Sequence, residues 1–302
     1  MTRFAVLGVG AVGGFLAAAL HRSGLSVTAV STELGASRIR SHGLHVTSET
    51  LGELLTHPPA TDTLSEPVDV MFLATRAPEL EAALQRLRAP VRLFVPLLSG
   101  IEHLTALRAR FPESLTCAAS IRLDATRTSP TEIRHRSKFA VIDSAFDDDW
   151  LSHRELRPLV EPLAGAGIAL MVSAREVQVL WSKLVFLNSL SLVTALSGQS
   201  LGAIRTDPDW RSRMQSSLQE GAEVAQAEGA RVSVEMTMEY VDHARHELSS
   251  KMLQDIRAGI LPELDAISGA VLRAATRQRI PCPTIRELAA EVAARAGIPV
   301  PG

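Results

Sequence analysis

The stretch from Phe4 to Leu20 constrains the fold of this chain more than any other. The apolar run Phe4–Leu7 leads directly into Gly8-Val9-Gly10-Ala11-Val12-Gly13, and the helix-forming run Phe15–Leu20 follows. A short apolar run of this kind is typical of a buried strand in a parallel sheet. The order of strand, glycine-rich turn and helix predicts the first half of a dinucleotide-binding unit.

The three glycines at the spacing Gly-x-Gly-x-x-Gly have different predicted roles. Gly8 permits the tight turn, Gly10 lets a pyrophosphate approach the backbone, and Gly13 lets the helix pack close to the strand. The free N–H groups and the positive end of the helix dipole then face the phosphates. A turn with a purely structural role is the alternative. The predicted cofactor loop consists of Gly8, Val9, Gly10, Ala11, Val12 and Gly13.

The end of the second predicted strand, Ser26–Val30, bears on the choice of dinucleotide. An NAD-specific unit would place an acidic residue there, to bind the ribose 2′-hydroxyl. This chain has Ser31 and Thr32 instead. Because hydroxyls can bind a 2′-phosphate, we predict that both residues contact NADP. Capping of the next helix is the alternative role for the pair.

Charged residues just beyond this strand leave the choice partly open. Arg38 or Arg40 would add positive charge beside a 2′-phosphate if they lie on the next helix. Glu33 keeps NAD as an alternative.

Two further strands end in residues placed to face the cofactor. The strand Val68–Ala74 ends at Thr75 and Arg76, and the strand at 91–96 runs into a loop that contains Leu98, Ser99 and Gly100. Open α/β sheets bind ligands at the carboxyl ends of their strands. We therefore add Arg76, Leu98, Ser99 and Gly100 to the predicted cofactor site.

The predicted secondary structure changes from strands and helices to helices alone near residue 173. Before it, strand-like runs at 115–121, 132–136 and 139–142 are expected to close the sheet in antiparallel fashion. After it, helical periodicity continues to the end. The fold class is thus α/β, with a Rossmann-type parallel-sheet domain at 1–172 and an all-α domain at 173–302.

Composition excludes several classes of partner. A net charge of −2 in 302 residues gives no reason to expect nucleic acid or an acidic membrane surface. We expect no apolar run long enough to cross a membrane. Two distant cysteines, Cys117 and Cys282, suit a reduced, cytoplasmic protein without a metal site.

The segment Glu176–Leu196 is apolar nearly all round and predicts a buried helix with Lys183 in its middle. A buried ammonium must reach a cleft or a carboxylate. Of 31 lysines and arginines only three are lysines, and a lysine pKa can be tuned for proton transfer whereas that of arginine cannot. A lysine that extends to the surface is the alternative.

A second helix is predicted from about Ser250 to Arg277. Glu263 lies on or beside its apolar face and is a candidate partner for Lys183. A solvated glutamate is the alternative.

These motifs together resemble the ketopantoate reductase (2-dehydropantoate 2-reductase) family over the whole chain. The matching pieces are Gly8–Gly14, Arg76, Ser99-Gly100, Trp181-Ser182-Lys183-Leu184, Thr194-Ala195-Leu196, and Ser250-Lys251-Met252-Leu253-Gln254-Asp255 leading to Glu263. The resemblance implies a Rossmann domain followed by a helical domain, with NADPH in the cleft between them. It also implies hydride transfer to a 2-keto acid, with Lys183 as general acid and Glu263 bracing it.

The chain departs from the family at several positions. Where the family has an arginine, a lysine and an asparagine, this chain has Thr32, Arg76 and Ser99. In the substrate region the replacements are Leu187, followed by Asn188, then Ser191 and Lys251. We predict Asn188, Ser191 and Lys251 as substrate-binding residues, and the substrate need not be ketopantoate.

The leading prediction is an NADPH-dependent reductase of an anionic 2-keto acid, in or related to pantothenate biosynthesis, with a homodimer as the assembly considered. One alternative keeps the fold but acts as an imine or hydroxy-acid dehydrogenase. The other is a non-catalytic NADP-binding regulatory protein in which Lys183 is purely structural.

Overall fold

The computed structural model describes residues 2–302, which divide into two compact units. The first comprises the chain up to Leu98 together with His103–Val179, and the second comprises Ser99–Glu102 and Leu180–Gly302. The predicted domain division at 172/173 falls shortly before the point at which the chain enters the second unit.

The first unit is built on a six-stranded sheet in which every neighbouring pair is parallel. Its strand order is β5-β2-β1-β6-β7-β8. The strands of the unit are β1 (Arg3–Leu7), β2 (Ser26–Val30), β3 (Leu44–Ser48), β4 (Gly52–Thr56), β5 (Ala60–Thr61), β6 (Val68–Leu73), β7 (Val91–Pro96), β8 (Leu115–Thr116), β9 (Ala118–Arg122), β10 (Ala125–Ser129), β11 (Glu132–His135), β12 (Val141–Ala145) and β13 (Ala169–Val172). The predicted Rossmann-type parallel sheet is confirmed.

The helices of this unit connect and cover the strands. They are α1 (Ala11–Arg22), α2 (Glu33–His42), α3 (Leu80–Leu84), α4 (His103–Arg110), α5 (Asp149–Leu151) and α6 (Val160–Gly165). Helix α1 packs on β1 and β2 with one side and on β3, β4, β10 and β11 with the other. Contact on both sides explains why every residue from Gly13 to Leu20 is buried, as a helix with small and apolar residues all round requires.

The later strands do not close the main sheet in antiparallel fashion, so that prediction is wrong. β8 pairs with β7 in parallel. The others form two small separate sheets, ordered β10-β11-β3-β4 and β13-β12-β9. The reason is that β11 pairs with β3 at the edge of the β3–β4 hairpin, and β12 pairs with β9 and β13. Edge pairing of this kind is decided by tertiary position, which strand patterns do not encode.

The second unit is helical throughout, as predicted. Helix α7 (Glu176–Ser197) enters it, and the following helices are α8 (Leu201–Ile204), α9 (Pro208–Ala227), α10 (Val234–His243), α11 (Lys251–Arg257), α12 (Ala270–Gln278) and α13 (Pro283–Ala296). The predicted helix from Ser250 to Arg277 is interrupted. Gly259, at a φ of 65°, ends α11 and Pro262 follows in the connection. A π-helical turn, Asp265–Gly269, then leads into α12.

Helix α7 corrects the expectation that no segment is long and apolar enough to cross a membrane. It meets that test by length and composition, and 67% of its most apolar window is buried within the structure. The core helix of a globular protein passes the same test. Trp181, Leu184 and Val185 are at most 2% exposed, so α7 is the buried helix predicted from its apolar residues.

A buried histidine joins the β10-β11-β3-β4 sheet to α1. His135 on β11 is 1% exposed and its ring stacks at an angle on Phe15 of α1, with 4.6 Å between ring centroids. Its Nδ1 lies 2.8 Å from Ser48 Oγ and its Nε2 lies 3.1 Å from the carbonyl oxygen of Phe139. Because a carbonyl only accepts, Nε2 carries the proton and Nδ1 accepts from the serine. Burial lowers the pKa of His135 below its usual value.

Stability should therefore fall in mild acid. Below pH 6.5 the unfolded chain gains a proton on His135 that the folded chain does not, so the free energy of unfolding drops by up to about 1.4 kcal/mol per pH unit until the folded pKa is reached. Urea unfolding of the wild type and His135→Gln between pH 5 and pH 8 would measure this, and the variant should show the shallower pH dependence. His42→Gln, at an exposed histidine, is the control. Parallel curves for wild type and His135→Gln would contradict the assignment.

Candidate functional site

The glycine turn after β1 has the geometry that its residues predict. Gly8 adopts a φ of 93°, in the left-handed region that favours glycine. Its N–H donates to the carbonyl oxygen of Val30 at 3.0 Å. A Cβ on Gly8 would lie 2.8 Å from the backbone nitrogen of Thr75. The turn is therefore pressed against the ends of both neighbouring strands, β2 and β6.

The two other glycines of the motif differ in what surrounds them. A Cβ on Gly13 would lie 2.0 Å from the carbonyl oxygen of Gly8, so only glycine allows α1 to approach the turn this closely. A Cβ on Gly10 would meet no atom within 4 Å. Gly10 thus borders open space, whereas Gly8 and Gly13 are enclosed by protein.

The N-terminus of α1 faces this open space without a side-chain cap. Gly10 is its N-cap residue and no acidic residue lies in the first turn. The first N–H groups of a helix have no partner within the helix, and the first i to i−4 bond here is the one from Gly14 to Gly10, at 2.9 Å. The amides of Ala11, Val12 and Gly13 are left to bind a group outside the helix.

The residues after β2 cap the next helix. Thr32 is the N-cap of α2, and its Oγ1 accepts from the N–H of Gly35 at 3.1 Å. This is the capping alternative, and it leaves the O–H of Thr32 able to donate elsewhere. A Cβ on Gly35 would lie 2.3 Å from Ser31 Oγ, so the Ser31 hydroxyl also rests on the first turn of α2.

Arg38 and Arg40, the two arginines expected to add charge beside a 2′-phosphate, both lie on α2. The guanidinium of Arg40 donates to the carbonyl oxygen of Ala60 at 2.8 Å. Both arginines are exposed.

The end of β6 brings a polar and a charged residue to the glycine turn. Thr75 lies against Gly8, and its Oγ1 is buried without a hydrogen-bond partner in residues 2–302. A buried hydroxyl in this state is costly unless something else binds it. Arg76 has a side chain that is 26% exposed and lies 3.9 Å from Glu79. The sequence placed Thr75 with Arg76 at this edge, facing the cofactor, and its part in cofactor binding stays a prediction.

In the segment after β7, Leu98 still belongs to the first unit, whereas Ser99–Glu102 belongs to the second. Leu98 is buried, and Ser99 Oγ donates to Glu263 Oε2 at 3.3 Å. Gly100 has a φ of 81°, and a Cβ there would lie 2.2 Å from the carbonyl oxygen of Ala266. The structure thus joins two predicted site residues, Ser99 and Glu263, that are distant in sequence.

The two predicted acid–base residues are both partly exposed. Lys183 is half-buried in the middle of α7. Glu263 is half-buried and precedes the π-helical turn; its carbonyl oxygen accepts from the N–H of Ile267 at 3.1 Å. Glu263 therefore lies at the start of a helical segment and not within a continuous helix.

Asn188, one of the predicted substrate-binding residues, is fully enclosed by protein. It is 1% exposed, and its Oδ1 accepts from Ser268 Oγ at 2.7 Å. Its Nδ2 has no hydrogen-bond partner in the described part of the chain. This contact ties α7 to the π-helical turn that follows Glu263. Ser268 carries no sequence signal beyond its position in an apolar segment.

The remaining two predicted substrate residues differ in exposure. Ser191 is 1% exposed on α7. Lys251 begins α11, with a side chain that is 62% exposed and forms an ion pair with the buried Asp255 one turn later. Ser250, the N-cap of α11, lies 2.6 Å from Thr194 Oγ1 of α7. The role of all three predicted substrate residues stays a prediction.

Family comparisons cover both units. The family model described as "Ketopantoate reductase PanE/ApbA" matches residues 4–147, and the family model described as "Ketopantoate reductase PanE/ApbA C terminal" matches residues 177–296. The 2-dehydropantoate 2-reductase of Halobacterium salinarum is 24% identical over 294 residues, which cover 95% of this chain and 96% of the relative.

Solved structures share the fold over nearly the full length. A D-mandelate dehydrogenase solved with NADH and anilino(oxo)acetate superposes with a TM-score of 0.88 at 20% identity, covering 98% of each chain. The PanE/ApbA family ketopantoate reductase of Ralstonia eutropha JMP134 has a TM-score of 0.85 at 21% identity, covering 98% of this chain and 99% of that one. With a parallel sheet whose strand β1 leads into the glycine turn, a helical second unit, and a family model matching each, this chain belongs to the ketopantoate reductase family of oxidoreductases.

Proposed function

We propose that this protein is an NADPH-dependent reductase that transfers a hydride to the carbonyl of a small, anionic 2-keto acid. The observation that carries the proposal is the turn Gly8–Gly13, closed by protein at its outer glycines and open at Gly10. A structural neighbour solved with NADH and an oxoacetate supports both the cofactor class and the substrate class.

The first unit offers a site that fits a dinucleotide pyrophosphate. The uncapped amides at the start of α1 provide donors and a positive dipole. Thr75, whose buried Oγ1 has no hydrogen-bond partner in residues 2–302, lies against Gly8 of this turn. A side chain at position 10 would fill the space that the pyrophosphate needs. These residues would hold the cofactor, which supplies the hydride when bound.

The residues after β2 support binding of a 2′-phosphate with modest selectivity. Thr32 retains a donor O–H although its oxygen caps α2, and Ser31 lies beside it. Arg38 and Arg40 lie on the same helix. Because Arg40 is bonded to Ala60 and no arginine directly follows Val30, we expect NADPH to bind more tightly than NADH by about tenfold, the effect of one charge-assisted contact.

Gly10→Val should abolish dinucleotide binding and leave the protein folded, because a Cβ at this position meets no protein atom within 4 Å and the valine side chain extends into the space of the pyrophosphate. Titration calorimetry with NADPH and with NADH, together with the melting temperature, would measure this. Gly165→Val, at a helical glycine that also borders open space, is the matched control and should bind as wild type. Unchanged NADPH affinity in Gly10→Val would show that the site is elsewhere. An NADPH preference of several hundredfold would mean that another cation binds the phosphate.

The second unit provides the groups for proton transfer. As hydride reaches the carbonyl carbon, negative charge develops on the carbonyl oxygen, and a positioned acid lowers the barrier by donating a proton to it. We assign that role to the Lys183 ammonium. The Glu263 carboxylate orients and stabilises the ammonium, and the Ser99 hydroxyl, which donates to Glu263 Oε2, restricts how that carboxylate turns.

Lys183→Ala should lower kcat by at least about 10²-fold with NADPH affinity little changed. Lys183→Arg should be nearly as inactive, because a guanidinium keeps the charge but does not release its proton. Glu263→Gln should cost less, and the loss in the double variant should be smaller than the sum of the two. Stopped-flow turnover and calorimetric NADPH binding would separate these effects. A purely structural Lys183 would instead lower the melting temperature without a specific loss of kcat.

The positions of two cationic side chains support the proposal that the substrate is anionic. Arg76 lies at the end of β6, and Lys251 is exposed at the start of α11. Arg76 stands where the family has a lysine, and Lys251 stands where it has a serine. An arginine can bind a carboxylate through two parallel hydrogen bonds.

We expect Arg76→Gln or Lys251→Gln to lower kcat/KM for a 2-keto acid more than for the matching neutral ketone, by about tenfold in the ratio. The ratio cancels any general effect of removing the ion pair between Lys251 and Asp255. Lys138→Gln, at an exposed lysine elsewhere, should leave the ratio unchanged. Equal turnover of acid and ketone, unaffected by both variants, would rule out recognition of the carboxylate.

A panel of keto acids, ketones and imines with NADPH, followed by nicotinamide absorbance, tests the reaction class. Reduction of imines alone would favour the imine or hydroxy-acid dehydrogenase alternative. Tight NADPH binding without turnover of any compound would favour a regulatory protein.

A further inference from the structure

The segment Ser99–Glu102 is held against the stretch from Glu263 to Arg273 at three points. Ser99 Oγ donates to Glu263 Oε2 at 3.3 Å. Gly100, at a φ of 81°, lies so close to the carbonyl oxygen of Ala266 that a Cβ would be 2.2 Å from it. The Glu102 carboxylate accepts two hydrogen bonds from Arg273, at 2.8 and 2.7 Å.

The guanidinium of Arg273 binds two carboxylates, one on each of these two segments. Its Nε and Nη2 hold Glu102, and its Nη1 donates to Asp265 Oδ1 at 2.8 Å. Its Nη2 also reaches the backbone oxygen of Asp265 at 3.2 Å. Asp265 begins the π-helical turn two residues after Glu263. One guanidinium therefore joins the segment that carries Ser99 to the segment that carries Glu263.

The exposure of these groups indicates what the contact contributes. The side chains of Arg273, Glu102 and Asp265 are 29%, 48% and 74% exposed. Ion pairs this exposed contribute little to stability. A planar fork that binds a carboxylate at two points does fix geometry, and an ammonium cannot replace it.

We propose that Arg273 is a positioning residue for the reductase reaction, holding Ser99 against Glu263 through its bonds to Glu102 and Asp265. The inference rests on the proposed function, because Glu263 is there the group that orients Lys183. Without the fork, the segment around Gly100 moves relative to Glu263, the Ser99 hydroxyl loses its acceptor, and the carboxylate turns away from the orientation that Lys183 needs.

Kinetics of Arg273→Gln and Arg273→Lys with NADPH and the best keto acid of the panel would test this. We expect kcat to fall about tenfold in both, within the range that a small misplacement produces, with the KM for NADPH unchanged. Arg277→Gln is the matched control: it removes an arginine from the next turn of α12, which is paired with Glu228 at 3.5 Å, and should keep wild-type kcat. The melting temperatures of Arg273→Gln and Arg277→Gln should be similar.

A double-variant cycle separates positioning from a structural role. Ser99→Ala should lower kcat to a similar level, and Arg273→Gln in that background should cost less than twofold more, although Arg273 acts at the far end of the segment. Ser99→Thr, which keeps the hydroxyl, should recover most of the rate. Additive losses, or wild-type kcat in Arg273→Gln, would overturn the inference. An inactive wild type would instead refute the proposed function.

Discussion

The close approach of α1 to the end of β1 is the constraint on which the first unit depends. With Gly13 opposite the carbonyl oxygen of Gly8, where a Cβ would lie 2.0 Å away, the helix begins directly above the sheet. That position buries α1 between the parallel sheet and the β10-β11-β3-β4 sheet. It also directs the free amides of the helix toward the space beside Gly10. Packing and ligand chemistry therefore share one cause, since the contact that buries the helix also orients its N-terminus.

Helix α7 has the corresponding role in the second unit. Polar side chains among its apolar residues form hydrogen bonds to neighbouring segments, as Asn188 does with Ser268 and Thr194 with Ser250. Buried hydrogen bonds of this kind are expensive to break, so they define how the helices align. Lys183 lies on this helix, so these contacts also determine the position of Lys183 along the helix axis and its direction around it. A group that must place a proton within hydrogen-bond distance of a reacting atom benefits from a rigid support.

The local parts of the structure could be predicted because their causes are local. A short apolar run followed by spaced glycines admits few conformations, and the strand, turn and helix at 3–22 follow from it. The helical character after residue 173 follows from periodicity in the same way. The failures are equally physical. Strand runs beyond residue 115 did not reveal which edge they would join, and Gly259 and Pro262 broke a helix whose periodicity continued on either side.

For the candidate site, the sequence by itself determined the residue types: the glycine turn, one lysine in a buried helix, and a glutamate after Met-Leu-Gln-Asp. It determined the family as well, because those motifs occur in the right order along the chain. Only the tertiary structure decided that Ser99 meets Glu263, that Thr32 caps α2, and that Arg273 joins Glu102 to Asp265. Two of these contacts join residues more than 160 positions apart in the sequence. Hydrogen bonds and ion pairs depend on distance and angle in space, and periodicity and spacing along a chain do not encode them.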